Sequence, residues 1–195
     1  SIGGSDIPAI LGISPFKSAA DVFFEKTHQM EQIETEAMEA GHMLEPVVID
    51  WTLVKLGLGK LSWSSANVRR TKILKSAEGL EVPAHANLDF MFTLDKDPVG
   101  EIRCSIEAKT TSLSQYWGLE KTDEVPDYVM AQCLWQGIIA DLSVVYVGVL
   151  IGDRGFHLRT YKIRLEDYEE VTMDIVNRSA DFWNKNVMEG VAPED

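Results

Sequence analysis

Two segments, VPAHANLDF (residues 82–90) and CSIEAKTTS (residues 104–112), carry charged side chains within runs that are otherwise typical of apolar β-strands. Asp89 lies in the first segment, and Glu107 and Lys109 lie in the second. Charged groups are unfavourable on a buried sheet unless they are paired or bound to a metal ion. The two segments therefore predict a pair of strands and a polar site built on that pair.

The spacing of these charges indicates metal chemistry. Residues two apart on a strand point to one face, so Glu107 and Lys109 share a face, and a hairpin would bring Asp89 close to Glu107. Neighbouring carboxylates repel each other unless a cation lies between them, and oxygen ligands favour Mg²⁺ or Mn²⁺. The carbonyl oxygen of Ala108 would be a further ligand. A lysine beside such an ion can orient or deprotonate water, or stabilise charge on a phosphate, during phosphodiester hydrolysis.

The same residues also have a simpler explanation. A glutamate and a lysine two apart on a strand are often only the solvated face of that strand, and short motifs produce many false matches. His42 and His85 lie in the same part of the sequence as the acidic residues. Because hard metal ions prefer oxygen, we interpret both histidines as local hydrogen-bonding residues rather than metal ligands.

Turn residues and the periodicity of the apolar residues divide the chain into helices and strands. The predicted fold class is α/β, with a central mixed sheet flanked by helices, in a single domain that covers residues 1–195. Pro46 lies within one helical segment and predicts a kink or a helix start there. The predicted helices cover about residues 5–11, 18–28, 35–57, 126–141 and 166–190, and the predicted strands cover about residues 80–97, 100–112, 143–152 and 156–164.

The composition suits a globular protein, since 45% of the 195 residues are hydrophobic and 25% are charged. The net charge of −13 argues against a protein that coats nucleic acid non-specifically, although a local basic groove is compatible with it. We interpret the basic run VRRTKILK (residues 68–75) as solvated surface. Cys104 and Cys133 do not suggest a disulfide framework and fit a reducing, intracellular compartment. Apolar runs of about 18 residues and signal-peptide patterns are lacking, so we expect neither a membrane span nor a signal peptide.

Other polar residues are candidates to join the site. Glu45 is a third acidic candidate, and it directly precedes Pro46. Tyr128, Gln132 and Gln136 have the spacing of one helical face. We expect that face to look toward the sheet.

Five segments occur in the order found in the YqaJ-like viral recombinase family, which is similar to lambda exonuclease and belongs to the PD-(D/E)XK nuclease superfamily. The segments are IGGSDIPAILGISPFKSAADVFFEKT, GHMLEP, ANLDF, IEAKTTS and PDYVMAQCLWQ. The chain resembles this family from residue 2 to about residue 164. The resemblance implies a restriction-endonuclease-like core. It also implies a Mg²⁺-dependent 5′→3′ exonuclease, in which Mn²⁺ can replace Mg²⁺, that resects the ends of linear double-stranded DNA.

The resemblance also implies partners and a setting. The 3′ single strand that resection leaves would pass to a single-strand annealing protein in phage-type recombination. The enzyme would assemble as a ring-shaped homotrimer, without a membrane partner. Its place would be the cytoplasm of a bacterial cell, with a phage or prophage as the source of the gene.

Roles for the metal-site residues follow from the same resemblance. Asp89 and Glu107 resemble the metal-binding carboxylates, with the main chain of Ala108 beside them. Lys109 resembles the catalytic lysine. Glu45 resembles the upstream acidic residue near the metals.

Residues around the metal site take roles from the family too. Gln132 resembles the glutamine that positions the site from a neighbouring helix, although a lone helical glutamine is more often a surface residue. Ser5 resembles a serine that binds the terminal 5′-phosphate, assisted by N–H groups at the following helix start; an ordinary N-cap serine is the alternative. Thr111 and Ser112 resemble residues that touch the DNA backbone, and they are equally explained as polar residues at a strand end.

Two other functions are compatible with the same residues. One is a nicking or double-strand endonuclease built on the same core. The other is a catalytically silent module that binds DNA ends. A covalently closed circular plasmid separates the two enzymes, because an exonuclease leaves it intact and an endonuclease cuts it.

Overall fold

A five-stranded mixed sheet forms the centre of the molecule, in the order β1-β2-β3-β4-β5. The computed structural model describes residues 1–28, 35–58, 61–96 and 100–193. The β3–β4 pair is parallel, and the other neighbouring strands are antiparallel. The strands are β1 (Trp63–Lys75), β2 (Glu81–Lys96), β3 (Gly100–Thr111), β4 (Val144–Ile151) and β5 (His157–Arg164).

Helices cover both faces of this sheet, as predicted. One face packs against α1, α4 and α5 around a core that includes the fully buried Trp135. The other face packs against α3, which contributes Val48 and Ile49 to two smaller clusters. The helices are α1 (Ile7–Ile10), α2 (Ala19–His28), α3 (Glu36–Leu56), α4 (Asp127–Ala140) and α5 (Glu169–Asp181).

The predicted strand pair is present, and its register defines where the site lies. Strands β2 and β3 are antiparallel from Lys96–Gly100 to Phe90–Ile106, and the tip of the hairpin, residues 97–99, lies outside the described residues. Helix α4 then connects β3 to the parallel strand β4. Because β4 is buried along almost its whole length, it anchors β3 in the centre of the sheet.

Three local predictions differ from the structure. No strand is predicted over the basic run 68–75, but this run lies in β1, an edge strand of the sheet; its residues Arg69, Arg70 and Lys75 are exposed, as the interpretation as solvated surface predicts. Of the two predictions for Pro46, a helix start is wrong, because helix α3 runs through this residue; the kink stays a prediction. The predicted helix 166–190 is divided into a 3₁₀ turn, α5 and the π-helical segment Phe182–Met188, and it ends at Gly190, whose φ of 71° suits glycine.

No helix among the residues described by the structure combines the length and the apolar character needed to cross a membrane.

Candidate active site

The site begins where strands β2 and β3 separate. Their ladder ends at the Phe90–Ile106 pair, but β3 continues to Thr111 beside β4. At this point the N–H of Ala108 donates to Oδ2 of Asp89 at 2.8 Å. A side-chain carboxylate thus replaces the main-chain acceptor that a continued ladder would supply, which satisfies the exposed N–H group.

An irregularity in the neighbouring strands positions Asp89. Leu88 and Phe90 flank Asp89 in β2, and regular alternation would place both of them on one face of the sheet. Instead, they pack in different hydrophobic clusters on opposite faces of the sheet. Opposite Asp89 on β1 lies Asn67, whose φ of 51° is in the left-handed region that asparagine tolerates better than most residues. The alternation of β2 is therefore interrupted at Asp89, the residue whose carboxylate bonds to β3.

Glu107 is held in place by three side-chain donors. Lys109 donates to Oε1 at 2.7 Å, and the Nε2 groups of Gln132 and Gln136 donate to Oε1 at 2.6 Å and to Oε2 at 2.8 Å. Gln132 also accepts from Lys109 at 3.0 Å through its own Oε1. Only 2% of Glu107 is exposed, so this network supplies the polar partners that a buried carboxylate requires.

The charges in this cluster perturb one another. Burial, and after it the negative charge of Glu107, raises the pKa of Asp89 well above its ordinary value. Burial opposes the charge of Lys109, yet the charge and the hydrogen bond of Glu107, together with the charge of Asp89, outweigh burial and raise the pKa of the lysine. One ammonium group therefore compensates only part of the repulsion between the buried Glu107 carboxylate and the partly buried Asp89 carboxylate.

Helix α3 brings a third acidic side chain to the cluster. Glu45 is partly exposed, and burial, followed by the charge of Glu107, raises its pKa. Because Pro46 has no N–H group, the helix lacks one of its internal hydrogen bonds immediately after Glu45. The predicted acidic residues thus face one cleft from three separate elements, β2, β3 and α3.

This cleft has a volume of about 430 Å³ and contains most of the predicted site residues. Ser5 is at its rim and exposed, in the turn that precedes α1. Ser5 does not cap α1, because Asp6 occupies the N-cap position and makes no capping hydrogen bond. The lining residues are Gly4, Ser5, Met38, Gly41, His42, Glu45, Val48, His85, Asn87, Asp89, Glu107, Ala108, Lys109, Thr110, Gln132 and Gln136.

Two predicted DNA contacts lie outside the cleft lining. Thr111 accepts from the N–H of Leu113 through Oγ1 at 3.0 Å, at the end of β3, and Ser112 is exposed beyond it. Their contact with DNA remains a prediction. His85 lines the cleft and is bonded to Oγ of Ser1 at 2.9 Å, as expected of a local hydrogen-bonding residue.

Gln136 belongs to the site although the sequence only placed it on a helical face. It is 2% exposed, it donates to Glu107, and its Oε1 has no hydrogen-bond partner among the described residues. The spacing of Gln132 and Gln136, one helical turn apart, was the signal that pointed to it. Nothing in a helical pattern alone could show that both amides converge on one carboxylate.

The oxygen atoms of the cleft fit a hard divalent cation. A carboxylate oxygen has two lone pairs. Oε2 of Glu107 accepts one hydrogen bond, from Gln136, and Oδ2 of Asp89 accepts one, from the N–H of Ala108. Carboxylates and main-chain carbonyls are the ligands that Mg²⁺ and Mn²⁺ prefer. Among residues 1–28, 35–58, 61–96 and 100–193, no group of three His, Cys, Asp or Glu side chains forms a complete metal cage. An ion here would therefore need main-chain oxygen or water in addition to Asp89 and Glu107.

Comparisons with known proteins identify the family and the fold of this chain. The profile of the YqaJ-like viral recombinase domain matches residues 1–143. The protein YqaJ of Bacillus subtilis (strain 168) is 28% identical over 197 residues, which cover 98% of this chain and 55% of that protein. The chain thus spans about half the length of this relative.

Solved structures show the same fold at low sequence identity. The crystal structure of SSO0001 matches with a TM-score of 0.61 and 12% identity, over 96% of this chain and 75% of that one. The alkaline exonuclease LHK-Exo from Laribacter hongkongensis matches with a TM-score of 0.59 and 12% identity, over 98% of this chain and 89% of that one. These matches confirm the predicted fold class, an α/β fold similar to that of alkaline exonuclease. The chain belongs to the YqaJ-like viral recombinase family.

Proposed function

We propose that the protein is a metal-dependent deoxyribonuclease that degrades linear double-stranded DNA from its 5′ ends. Family and fold together indicate an alkaline exonuclease-like nuclease. The observation that carries the proposal is a cluster of buried Glu107 with partly buried Asp89 and Lys109 on the open edge of the β2–β3 ladder, facing a cleft. Such a cluster is unfavourable in a purely structural sheet, and an ion would relieve its unbalanced negative charge.

Different residues of the cluster have different roles in the proposed hydrolysis. Asp89 and Glu107, with the carbonyl oxygen of Ala108 and with Glu45 nearby, would hold Mg²⁺, for which Mn²⁺ could substitute. Bound there, the ion would supply Lewis-acid stabilisation of the phosphate and a more acidic water. Lys109 donates from within the cleft, where it can orient a water molecule or stabilise charge on the phosphate. Gln132 fixes both Lys109 and Glu107 and so keeps the cluster in one geometry.

The DNA end would enter over the rim that carries Ser5. Ser5 is exposed and lines the same cleft as Lys109, which places a hydroxyl donor within the same opening as the catalytic cluster. We therefore propose Ser5 as a contact of the terminal 5′-phosphate. Helix α1 has only four residues, so its dipole contributes little to phosphate binding.

The wider setting remains as the family resemblance implies. We propose that the chain acts as one nuclease domain, in a ring-shaped homotrimer, and that it supplies 3′ single strands to a single-strand annealing protein. A bacterial cytoplasm with a phage or prophage gene is the corresponding location.

Digestion of linear duplex DNA tests the proposal. Duplexes with 5′-phosphate or 5′-hydroxyl ends are incubated with and without Mg²⁺, next to a covalently closed circular plasmid. We expect nucleotide release only with Mg²⁺, faster release from 5′-phosphorylated ends, and an intact plasmid. Cleavage of the plasmid would indicate an endonuclease, and binding of ends without release would indicate a silent end-binding module.

The Lys109→Ala variant tests the assignment of the cluster. We expect it to slow nucleotide release by about 10²-fold or more while DNA binding survives, because the lost group acts on the reaction rather than on the fold. Lys75→Ala is the matched control, since Lys75 is exposed on β1 and its side chain pairs with Glu81 at 3.0 Å, away from the cleft. Equal activities of the two variants would exclude Lys109 from the reaction.

A further inference from the structure

Asp6 is a buried carboxylate behind the rim of the cleft. It is 3% exposed, and it is paired with Lys17 at 2.9 Å and with Lys26 at 2.7 Å. Lys17 is shared with Glu25 at 3.0 Å. The two lysines and two acids form a charge-balanced group that connects α2 to the segment before α1. The proposed reaction does not use any of these four residues.

Asp6 also closes the turn that carries Ser5. Its Oδ2 accepts from the N–H of Gly3 at 2.8 Å, and its own N–H donates to the carbonyl oxygen of Gly3 at 3.0 Å. Both main-chain groups of Gly3 are therefore bonded to Asp6. Gly4 and Ser5, the two residues between them, are the part of the turn that lines the cleft.

The other side of the turn rests on residues of the site. A Cβ at Gly3 would come within 2.6 Å of Nε2 of His85, and a Cβ at Gly4 would come within 3.3 Å of Cγ of Gln132. Only glycine fits such close approaches without movement of a neighbour. The turn is thus confined between β2 and α4 on one side and Asp6 on the other.

The preceding residue fixes the turn to the sheet. Ile2 forms a parallel bridge with Ala84, with its N–H donating to the carbonyl oxygen of Pro83 at 2.8 Å. Since β1 already pairs with Ala84 through Lys72, Ile2 occupies the edge of β2 that β3 leaves open. The position of Ser5 relative to Lys109 therefore depends on this anchored segment.

We propose that Asp6 is a positioning residue that holds Ser5 and the main chain of Gly4 at the cleft for recognition of a phosphorylated DNA end. This inference rests on the proposed function and deepens it, because it assigns end recognition to a carboxylate that does not touch the DNA. The two lysines neutralise this carboxylate, so its charge does not repel the phosphate it helps to bind. The turn is preorganised before DNA arrives, which favours affinity for the end.

The test measures end preference in the Asp6→Asn variant. Asparagine keeps the size of the side chain but loses the charge that holds the two lysines. We expect the ratio of kcat/KM for 5′-phosphorylated over 5′-hydroxyl duplexes to fall by about tenfold, through KM, because small displacements of positioned groups have effects of this order. The main-chain amide hydrogens of residues 1–12 should also exchange faster with solvent in this variant, because Asp6 no longer holds the turn in place.

A matched control and a milder variant separate positioning from folding. Asp21 also accepts from a nearby main-chain N–H, that of Ser18 at 2.7 Å, but it is exposed on α2, so Asp21→Asn should change neither the ratio nor the exchange. Lys26→Gln keeps the bond between Asp6 and Gly3 and should cause a smaller loss of the same preference. This variant carries the test if Asp6→Asn does not fold.

Different outcomes overturn different statements. An unchanged end preference in folded Asp6→Asn, or equal losses on both kinds of end, would overturn the positioning role. A wild-type protein that releases nucleotides equally from both ends would also overturn it, while leaving the nuclease intact. A wild-type protein that prefers 5′-phosphorylated ends in binding but releases no nucleotide would instead overturn the proposed nuclease.

Discussion

Glu107 shows at the scale of one residue how a buried charge is made tolerable. Its two carboxylate oxygens accept three hydrogen bonds, from the side chains of Lys109, Gln132 and Gln136. Because unsatisfied buried groups are costly, this network holds the carboxylate in one orientation before any ligand arrives.

The contribution of Gln136 to this network is measurable. We expect Gln136→Leu to lower the free energy of unfolding by about 1–3 kcal/mol, because it leaves one oxygen of buried Glu107 without its donor. Urea denaturation at neutral pH gives this value. Gln115→Leu is the control, since Gln115 is exposed and should change stability by no more than about 0.5 kcal/mol. Equal effects of the two substitutions would contradict the role assigned to Gln136.

Asp6 predicts a dependence of stability on pH. Burial opposes its charge, but Lys17 and Lys26 outweigh burial and hold the pKa of Asp6 below its ordinary value. A lowered pKa stabilises the fold above the pKa of the unfolded chain, and this stabilisation disappears as the pH falls through the lower, folded value. Asp6→Asn should therefore be less stable than the wild type at pH 7. The expected loss in the free energy of unfolding is about 2–3 kcal/mol, which is less than for a fully buried ion pair because both lysines are partly exposed.

The sign of the pH effect is the test. The difference in the free energy of unfolding between wild type and Asp6→Asn should narrow below about pH 4, near the ordinary pKa of aspartate. Urea denaturation at several pH values between neutral and acid measures this difference. If the difference in the free energy of unfolding stays constant across that pH range, the charge of Asp6 does not stabilise the fold.

Residue patterns in the sequence identified the acidic and basic side chains of the cleft but not how they are joined. The alternation of β3 placed Glu107 and Lys109 on one face, and the structure has them in contact at 2.7 Å. The role of Asp6 was not found, because its partners Lys17 and Lys26 are distant in sequence and no periodicity connects them. Contacts between separate elements have no local signature in the sequence.

At the scale of elements, β1 shows why an edge strand escaped prediction. Of its thirteen residues only Val68 and Leu74 are buried, so the alternation of apolar and polar residues is almost lost. Charges on an edge strand discourage pairing with other molecules, which explains the basic run. The central strands β3 and β4 were predicted because burial forces a clear apolar pattern on them.

The packing of α3 on the sheet depends on one glycine. A Cβ at Gly148 of β4 would lie 2.0 Å from Oγ1 of Thr52, which is fully buried on α3. We expect Gly148→Ala to lower the free energy of unfolding by about 1–3 kcal/mol, because α3 must shift. Adding Thr52→Ala should restore much of this loss, and a double-mutant cycle in urea measures the coupling.

A glycine within α3 itself, Gly41, provides the control for this prediction. A Cβ at Gly41 would meet only Oγ1 of Thr110, at 3.8 Å, which is ordinary contact. Gly41→Ala should therefore stabilise the helix by up to about 1 kcal/mol, as expected for alanine in a helix interior. If the changes in the free energy of unfolding caused by Gly148→Ala and Thr52→Ala are additive, the contact between the two residues does not determine how α3 packs.

At the scale of the whole molecule, the proposed function requires an acidic protein to bind DNA, which is a polyanion. With a net charge of −13, most of the surface repels DNA, and repulsion at the outer surface would restrict binding to the cleft. We expect photo-crosslinks from a 5′-end-labelled duplex to concentrate in peptides that contain residues 4–5, 38–45 and 107–110. Mass spectrometry of the crosslinked peptides maps them. Crosslinks spread over the acidic start of α5, at residues 166–170, would contradict this distribution.

The central claim is that a divalent cation binds between Asp89 and Glu107. The most direct measurement is the anomalous scattering of a crystal soaked in Mn²⁺, with an Asp89→Asn crystal treated in the same way. We predict an anomalous peak between the two carboxylates, at about 2.0–2.3 Å from their oxygens, that is lost in the variant. Well-ordered carboxylates that point away from each other, with no peak between them, would contradict the claim.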